Sequence, residues 1–422
     1  MKTKAVRLYG KNDLRLEEFE LPPLKNDEIL ARVISDSICM SSYKATVQGE
    51  DHKRVPKGIK ETPIIIGHEF CGEFVQVGEK WAKHFKVGDK FSIQPALNDP
   101  TNIYAAPGYS FPFIGGDATY IVIPEVVMRH DCLLPYKGDA YYFGSLAEPL
   151  SCIIGGFHVN YHNTPNHYLH KMGIVPGGKM ALLAGAGPMG LGTIDYAIHG
   201  AVRPGTLVVT DIDAQRLARA QQLYPINSAA DNGVELHYVD TSGLADPTAY
   251  LRDLSGGSGF DDVYVLAPVA AVIKQADEIL GHDGCLNFFA GPTDPLFSAA
   301  FNFYNVHYLA THVVGNSGGN TDDMLEALQL MADKRLDPSA MITHIGGLNA
   351  VIETTKNLPQ IPGGKKLIYN QIELPLTAIA DMAASSDPLF QKLGEMTGKN
   401  RGLWNKECEE YLLTHAPAIM KG

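Results

Sequence analysis

Along the first 150 residues, apolar positions come in short bursts divided by glycine and proline. Ala5–Leu8, Glu28–Ser35, Phe70–Val77, Lys90–Gln94 and Ala118–Ile123 are rich in β-branched residues or alternate in polarity. That is the pattern of strands that bury one face, and turn sequences such as Val87-Gly88-Asp89 separate them. An irregular all-β module is predicted. The pattern changes near Glu148, where a helical stretch begins. Lys179–Ala184 then reads as a buried strand, followed by a glycine-rich turn and a helix over Met189–His199. Strand Leu207–Thr210, helix Ala214–Leu223, strand Asp262–Leu266, helix Val272–Leu280 and strand Cys285–Phe289 continue the alternation, which implies a parallel sheet of βαβ units.

Past Gly315 the pattern is mixed again. Met324, Leu325, Leu328 and Met331 share one face of a helix over Asp322–Lys334, Lys366–Ile368 is a short strand, and the tail Leu374–Gly422 is predominantly helical by composition. Asn160–Lys171, rich in His, Asn and Tyr, reads as a polar surface loop.

A chain of 422 residues exceeds the roughly 250–300 that one core sustains, so two domains are expected. Lys and Arg number 35 against 47 Asp and Glu, a net −12, which argues against nucleic acid or an anionic membrane as partner. The start, Met1-Lys2-Thr3-Lys4, lacks the apolar stretch of a leader, and no apolar run is long enough to span a bilayer. Six cysteines without paired spacing are expected to be reduced thiols, in a cytoplasmic protein.

The turn Gly185-Ala186-Gly187-Pro188-Met189-Gly190 follows a strand and opens a helix, the context in which G-x-G-x-x-G lets backbone amides hold a pyrophosphate. Strand Leu207–Thr210 ends at Asp211, placed to bind the adenosine ribose hydroxyls. An acid there repels a 2′-phosphate and favours NAD(H), while Arg216, five residues on, leaves NADP(H) open. In the β-rich module and at its exit stand four candidate metal ligands, Cys39, His68, Glu69 and Glu148. A thiolate, an imidazole and a carboxylate suit a tetrahedral zinc site with one open position. Three separate segments supply them, so spacing alone leaves His68 equally readable as a core histidine.

Gly67-His68-Glu69, with Gly72 and Gly78 at fixed distances beyond, resembles the signature of zinc-dependent medium-chain alcohol and polyol dehydrogenases. Val87–Asp89, Gly116–Ile121, Glu148–Ser151, Gly185–Gly190 with Asp211, and Val314–Gly319 are similar to further segments of that family, so the resemblance covers most of the chain. It implies an α/β chain: a GroES-like irregular β catalytic domain (1–165 and 316–422) and a Rossmann doubly wound parallel sheet between (166–315). It also implies one catalytic Zn²⁺ on Cys39, His68 and Glu148, with Glu69 as a fourth ligand or near neighbour. Asn316, Pro292 and Lys366 would line the cofactor cleft. Within the family the chain most resembles the L-sorbose-1-phosphate reductases, which implies a ketose or polyol substrate, phosphorylated or not, and a homodimer or homotetramer.

The departures matter as much. The family's four closely spaced structural-zinc cysteines have no counterpart in Ala96–Phe113, so no structural zinc is expected. Cys39-Met40-Ser41-Ser42 keeps the hydroxyl of the usual Cys-Gly-Ser-Asp at Ser41 but loses the acid that orients the ligand histidine, so another group must hold His68. Ser41 is the expected proton relay, with a helix-capping serine as its alternative. Lys44, where relatives carry histidine, can discharge the proton, bind a substrate phosphate or simply be solvated. A general polyol or other sugar-phosphate dehydrogenase, a zinc-independent quinone or enone reductase, and a non-catalytic nucleotide-binding protein are the competing readings.

Overall fold

Strand Ile29–Ile38 organises the first of two units into which the chain divides. Every residue of it but Arg32 is buried, as expected of a strand covered on both faces. It pairs antiparallel with Phe70–Val77, Tyr120–Ile123 and Lys365–Tyr369. The full sheet runs Thr377–Ala378, Ile342–Gly347, Lys365–Tyr369, Ile29–Ile38, Phe70–Val77, Lys90–Ile93, Leu133–Tyr136. A smaller sheet places Lys2–Gly10 between Asp13–Glu20 and Ile64–Ile65. Phe74 and Phe91 stack at 5.1 Å and Phe70 meets Phe91 edge-on at 6.1 Å, each ring worth about 1.5–3 kcal/mol by burial.

The computed structural model describes residues 1–420. The first unit is Met1–Pro149, Asn320–Ala332 and Pro338–Gly422; the second is Leu150–Gly319 with Asp333–Asp337. The chain passes from one to the other inside helix Tyr141–Val159, and the junction expected at 165/166 lies in the hairpin that follows it.

The second unit holds a six-stranded, wholly parallel sheet in the order Glu235–Asp240, Thr206–Asp211, Lys179–Leu183, Phe260–Val265, Leu280–Phe288, His312–Val314. The chain direction across the sheet reverses between Lys179–Leu183 and Phe260–Val265, the switch point of a doubly wound fold. This confirms the α/β expectation. Strand Glu235–Asp240 escaped the sequence reading because its half-polar pattern belongs to a sheet edge, with only Leu236 and Val239 buried.

One further expectation is corrected and another is extended. Asn160–Lys171 is not simply a surface loop: Tyr161–Asn163 and His170–Met172 pair antiparallel, and Asn160 is buried. Asn160 Nδ2 donates to Asp262 Oδ1 at 2.6 Å, and the His162 ring lies 3.2 Å from the same oxygen and 3.0 Å from the Asp283 carbonyl. Composition reports polarity but not such buried pairing. The tail, helical over Pro388–Lys399 and Lys406–His415, is part of the first unit's core: Phe390, Leu393, Trp404, Cys408 and Leu412 pack with Ile34, Tyr142, Leu146, Ile345 and Leu367. Lys421 and Gly422, the end of that expectation, lie outside the described residues. No helix among the described residues is long and apolar enough to cross a membrane.

Candidate functional site

Strand Ile29–Ile38 ends one residue before Cys39, and helix Met40–Gln48 starts one residue after it. Cys39 is the helix N-cap in extended conformation but its side chain caps nothing, so the thiol is left for other partners. His68 and Glu69 come from the approach to strand Phe70–Val77. Gly67 holds φ at +91°, and a Cβ there would lie 2.7 Å from the Asp117 amide, so glycine alone permits the turn that presents His68. Ligand atoms of Cys39, His68 and Glu69 all fall within 4.8 Å of one another. Glu148, on helix Tyr141–Val159, stands outside that group but near enough to feel the charges of Glu69, His68 and Cys39, and Pro149 beside it removes a backbone donor from that helix.

The electrostatics are those of crowded acids. Burial, then the Glu69 charge, lifts the Glu148 carboxyl to about 7. Burial followed by Glu69 also pushes the Cys39 thiol up, and burial pushes His68 down against the pull of Glu148 and Glu69. A divalent cation among these groups would reverse the penalties on Cys39 and Glu148. Soft sulfur, imidazole and carboxylate are together the donor set of zinc, so the residues present fit that ion.

Around the four candidates lie Ser41, the expected relay, and several groups that the sequence reading did not identify. Ser42 Oγ stands 3.3 Å from His68 Nδ1 and is buried, so a hydroxyl stands in for the missing acid. Ser41 Oγ lies 3.1 Å from Cys39 Sγ and 3.2 Å from His68 Nε2. Tyr109, buried in the segment without cysteines, donates to Ser41 Oγ at 2.7 Å and lies 3.2 Å from His68 Nε2. Burial pushes its phenol far up, which keeps it protonated. Lys365 Nζ donates to both Glu69 oxygens at 2.6 and 2.7 Å. Burial opposes the Glu69 charge, but Lys365 holds its carboxyl below the ordinary range. Behind Glu69, Asp36 accepts its backbone amide at 3.2 Å; burial and then Asp117 push Asp36 far up, and burial lifts Asp117 to about 8.

Lys366, expected at the cofactor, is 2% exposed and donates to the carbonyls of Pro362 and Gly364 at 2.9 and 2.6 Å. Its neighbour Lys365 is the lysine of the site. In a strand, adjacent side chains take opposite faces, and the Gly363-Gly364-Lys365-Lys366 run carried no sign of which lysine faces which way. Lys44 lies half-buried on the helix of Ser41.

In the second unit the glycine turn has the expected form. Helix Pro188–His199 begins with Gly187 as N-cap and proline at its first position, with no side-chain cap on its leading amides. A Cβ on Gly190 would lie 2.0 Å from the Gly185 carbonyl oxygen, so helix and strand approach as closely as glycine allows. A Cβ on Gly187 would meet nothing within 4 Å: the space beside Met189 and the bare amides is open for a phosphate. Asp211 ends strand Thr206–Asp211 and accepts from the amides of Ala186, Ile212 and Asp213. Arg216 turns away to Asp213 at 3.5 Å with 59% of its side chain exposed. Asn316 donates to the carbonyls of Cys152 and Gly318, and its buried Oδ1 has no hydrogen-bond partner.

Comparison with known proteins agrees with this geometry. The model of the alcohol dehydrogenase GroES-like domain matches residues 25–135, and that of the zinc-binding dehydrogenases matches 188–333. The chain is 53% identical over 413 residues to mannitol-1-phosphate 5-dehydrogenase of Aliivibrio fischeri, covering 97% of each chain. It is 51% identical over 417 residues to L-sorbose 1-phosphate reductase of Klebsiella pneumoniae, covering 99% of this chain and 98% of the relative. The fold is also that of 2R,3R-butanediol dehydrogenase from Bacillus subtilis, with a TM-score of 0.69 at 22% identity over 87% of this chain and 99% of that one.

Proposed function

Since the chain belongs to the zinc-binding medium-chain alcohol and polyol dehydrogenases, oxidoreductases acting on CH–OH, we propose that it interconverts a phosphorylated ketose and polyol with NAD(H). The observation that carries this reading is the junction of Cys39, His68 and Glu69 with the hydroxyls of Ser41 and Tyr109. L-Sorbose 1-phosphate is the substrate put forward, on the strength of the 51% identical relative of that name. Mannitol 1-phosphate is the second reading, supported by the other relative.

In this reading Cys39, His68 and Glu148 hold the zinc ion and Glu69 stays with Lys365. When bound, zinc supplies Lewis-acid polarisation of the substrate oxygen, and the nicotinamide supplies or accepts the hydride. The protein's own groups handle the proton. Ser41 Oγ both donates and accepts, so it can relay a proton between solvent and the substrate oxygen, while Tyr109 Oη, which stays protonated, donates to it at 2.7 Å and holds it in place. Ser42 fixes the His68 ring from its far side. The turn Gly185–Gly190 cradles the pyrophosphate, Asp211 takes the ribose hydroxyls, and Asn316 Oδ1 is an acceptor near that end of the sheet. Apolar exposure around the edge strand His312–Val314, with Val313 50% and Phe303 78% exposed, supports a homo-oligomer.

The test is initial-rate NADH oxidation with L-sorbose 1-phosphate and with L-sorbose, before and after a chelator, with NAD⁺ reduction by mannitol 1-phosphate alongside. A phosphate preference abolished with the metal supports the proposal. Equal rates on both ketoses leave a general polyol dehydrogenase, a faster mannitol 1-phosphate reaction selects the second reading, and full activity without metal overturns the zinc chemistry. Faster turnover with NADPH than with NADH would overturn the cofactor assignment.

A further inference from the structure

Beside the hydroxyl pair lies a group of cations of which only Lys44 has been considered so far. The Arg54 guanidinium carbon is 5.6 Å from the centre of the Tyr109 ring, and Ser110 Oγ donates to the Arg54 carbonyl at 2.7 Å, tying Arg54 to Tyr109's neighbour. His52 stacks almost parallel on Tyr109 at 5.7 Å and accepts the Arg54 amide at 3.3 Å. Lys53 is exposed, its ammonium 5.7 Å from the Tyr104 ring centre. Lys44 follows Ser41 by three residues on one helix and so shares its face.

Arg54 thus lies over Tyr109, and Lys53 and Lys44 are near enough to act with it on His52, in a chain of net −12. The nearby acids in sequence are engaged elsewhere: Glu50 accepts the amides of Gly58 and Ile59, and Asp51 pairs with Lys11 at 2.6 Å. The mutual repulsion is felt locally, for His52 is pushed down to about 4 by burial and then by Arg54, Lys53 and Lys44. Cations whose acidic sequence neighbours are engaged elsewhere are poised for an anion.

We propose that Arg54, flanked by Lys44 and Lys53, binds the phosphate of the substrate whose carbonyl lies at Ser41 and Tyr109. This rests on the sugar-phosphate reading of the site and names the residues that select the phosphate. A guanidinium meets phosphate oxygens as a two-pronged donor, while lysines add field without geometry. The phosphate end is thus drawn to Arg54 and away from the carboxylates of Glu69 and Glu148. A hexose lacking the phosphate has nothing to offer these cations, so they act on selectivity.

The experiment compares kcat/KM for L-sorbose 1-phosphate and for L-sorbose in the wild-type chain, Arg54→Gln and Lys44→Gln, with zinc content and circular dichroism measured on each. The ratio of the two kcat/KM values is expected to fall about a hundredfold in Arg54→Gln and about tenfold in Lys44→Gln. Inhibition by inorganic phosphate should weaken in parallel. A large wild-type ratio that survives both substitutions overturns the phosphate subsite alone. A wild-type ratio near one overturns the sugar-phosphate reading, and this proposal with it.

Discussion

Replacing Lys365 by methionine would leave the Glu69 carboxylate buried with its charge and without its partner. Glu69 is 1% exposed and Lys365 11%, so water screens neither, and the ammonium sits within 2.7 Å of both oxygens. Breaking a buried pair from one side costs about 3–5 kcal/mol. Proton uptake by Glu69 relieves part of this, because burial without Lys365 favours the neutral acid. The sign follows. In the wild type, Glu69 titrates below its unfolded value, so its contribution is present above that value and lost as pH falls through the folded one. In Lys365→Met the folded value rises instead, so the deficit widens from about pH 5 to pH 8. The assay is urea unfolding of chelator-treated protein followed by tryptophan fluorescence. The chain's two tryptophans, Trp81 and Trp404, both belong to the first unit, so the signal reports that unit. Lys365→Met, Glu69→Leu and the double variant complete a cycle in which the double variant should be more stable than Lys365→Met alone. A loss under about 1 kcal/mol at both pH 5.5 and pH 8 would refute the reasoning.

Ser42→Ala should weaken zinc binding about tenfold, at the lower end for a partner of a ligand histidine because the 3.3 Å contact is long, while Ser42→Thr keeps the hydroxyl and the affinity. Competition with a chromophoric chelator reads this directly, and equal affinities in all three proteins would remove Ser42 from the role. In the second unit, burial opposes the His162 charge, but Asp262 and the Asp283 carbonyl raise its pKa overall. Its contribution is therefore complete below the unfolded value near 6.5 and lost as pH rises through the folded one. Hydrogen exchange of the Tyr161–Met172 hairpin should quicken over that rise in the wild type, and a wild-type profile in His162→Gln would contradict the assignment.

What the sequence disclosed and what it hid follow a physical division. Gly185–Gly190 with Asp211 lies within one βαβ unit, so local spacing carried it. Strand Phe70–Val77 was legible to the residue because its apolar and β-branched side chains, broken only by Glu73 and Gln76 away from the core, mark a strand buried on one face. The metal candidates were visible as residue types, and only the family resemblance joined the three segments. Tyr109, Lys365 and Arg54 left no such trace. Tyr109 is 41 residues from His68 and Lys365 is 296 from Glu69, and no periodicity encodes a contact over that span. The loss of the usual acid did give a signal, a vacancy beside His68, and the adjacent hydroxyl of Ser42 fills it without any change of spacing.

The helix that carries Glu148 is fastened at its start by a residue from far along the chain. Glu409, 2% exposed, accepts the amides of Tyr141 and Tyr142 at 2.6 and 2.9 Å and the hydroxyl of Tyr369 at 2.8 Å, and that hydroxyl also receives the indole of Trp404 at 2.7 Å. A carboxylate at a helix N-terminus satisfies amides that have no partner of their own. Tyr141 and Glu409 are 268 residues apart, so at about 5–20 residues per second the ribosome makes the first roughly 13–54 s before the second. During that interval Cys39 and His68 already exist while the arm bearing Glu148 waits for its clasp. Completion of the Glu148 helix is thereby a late event in the protein's birth, timed by the emergence of helix Lys406–His415.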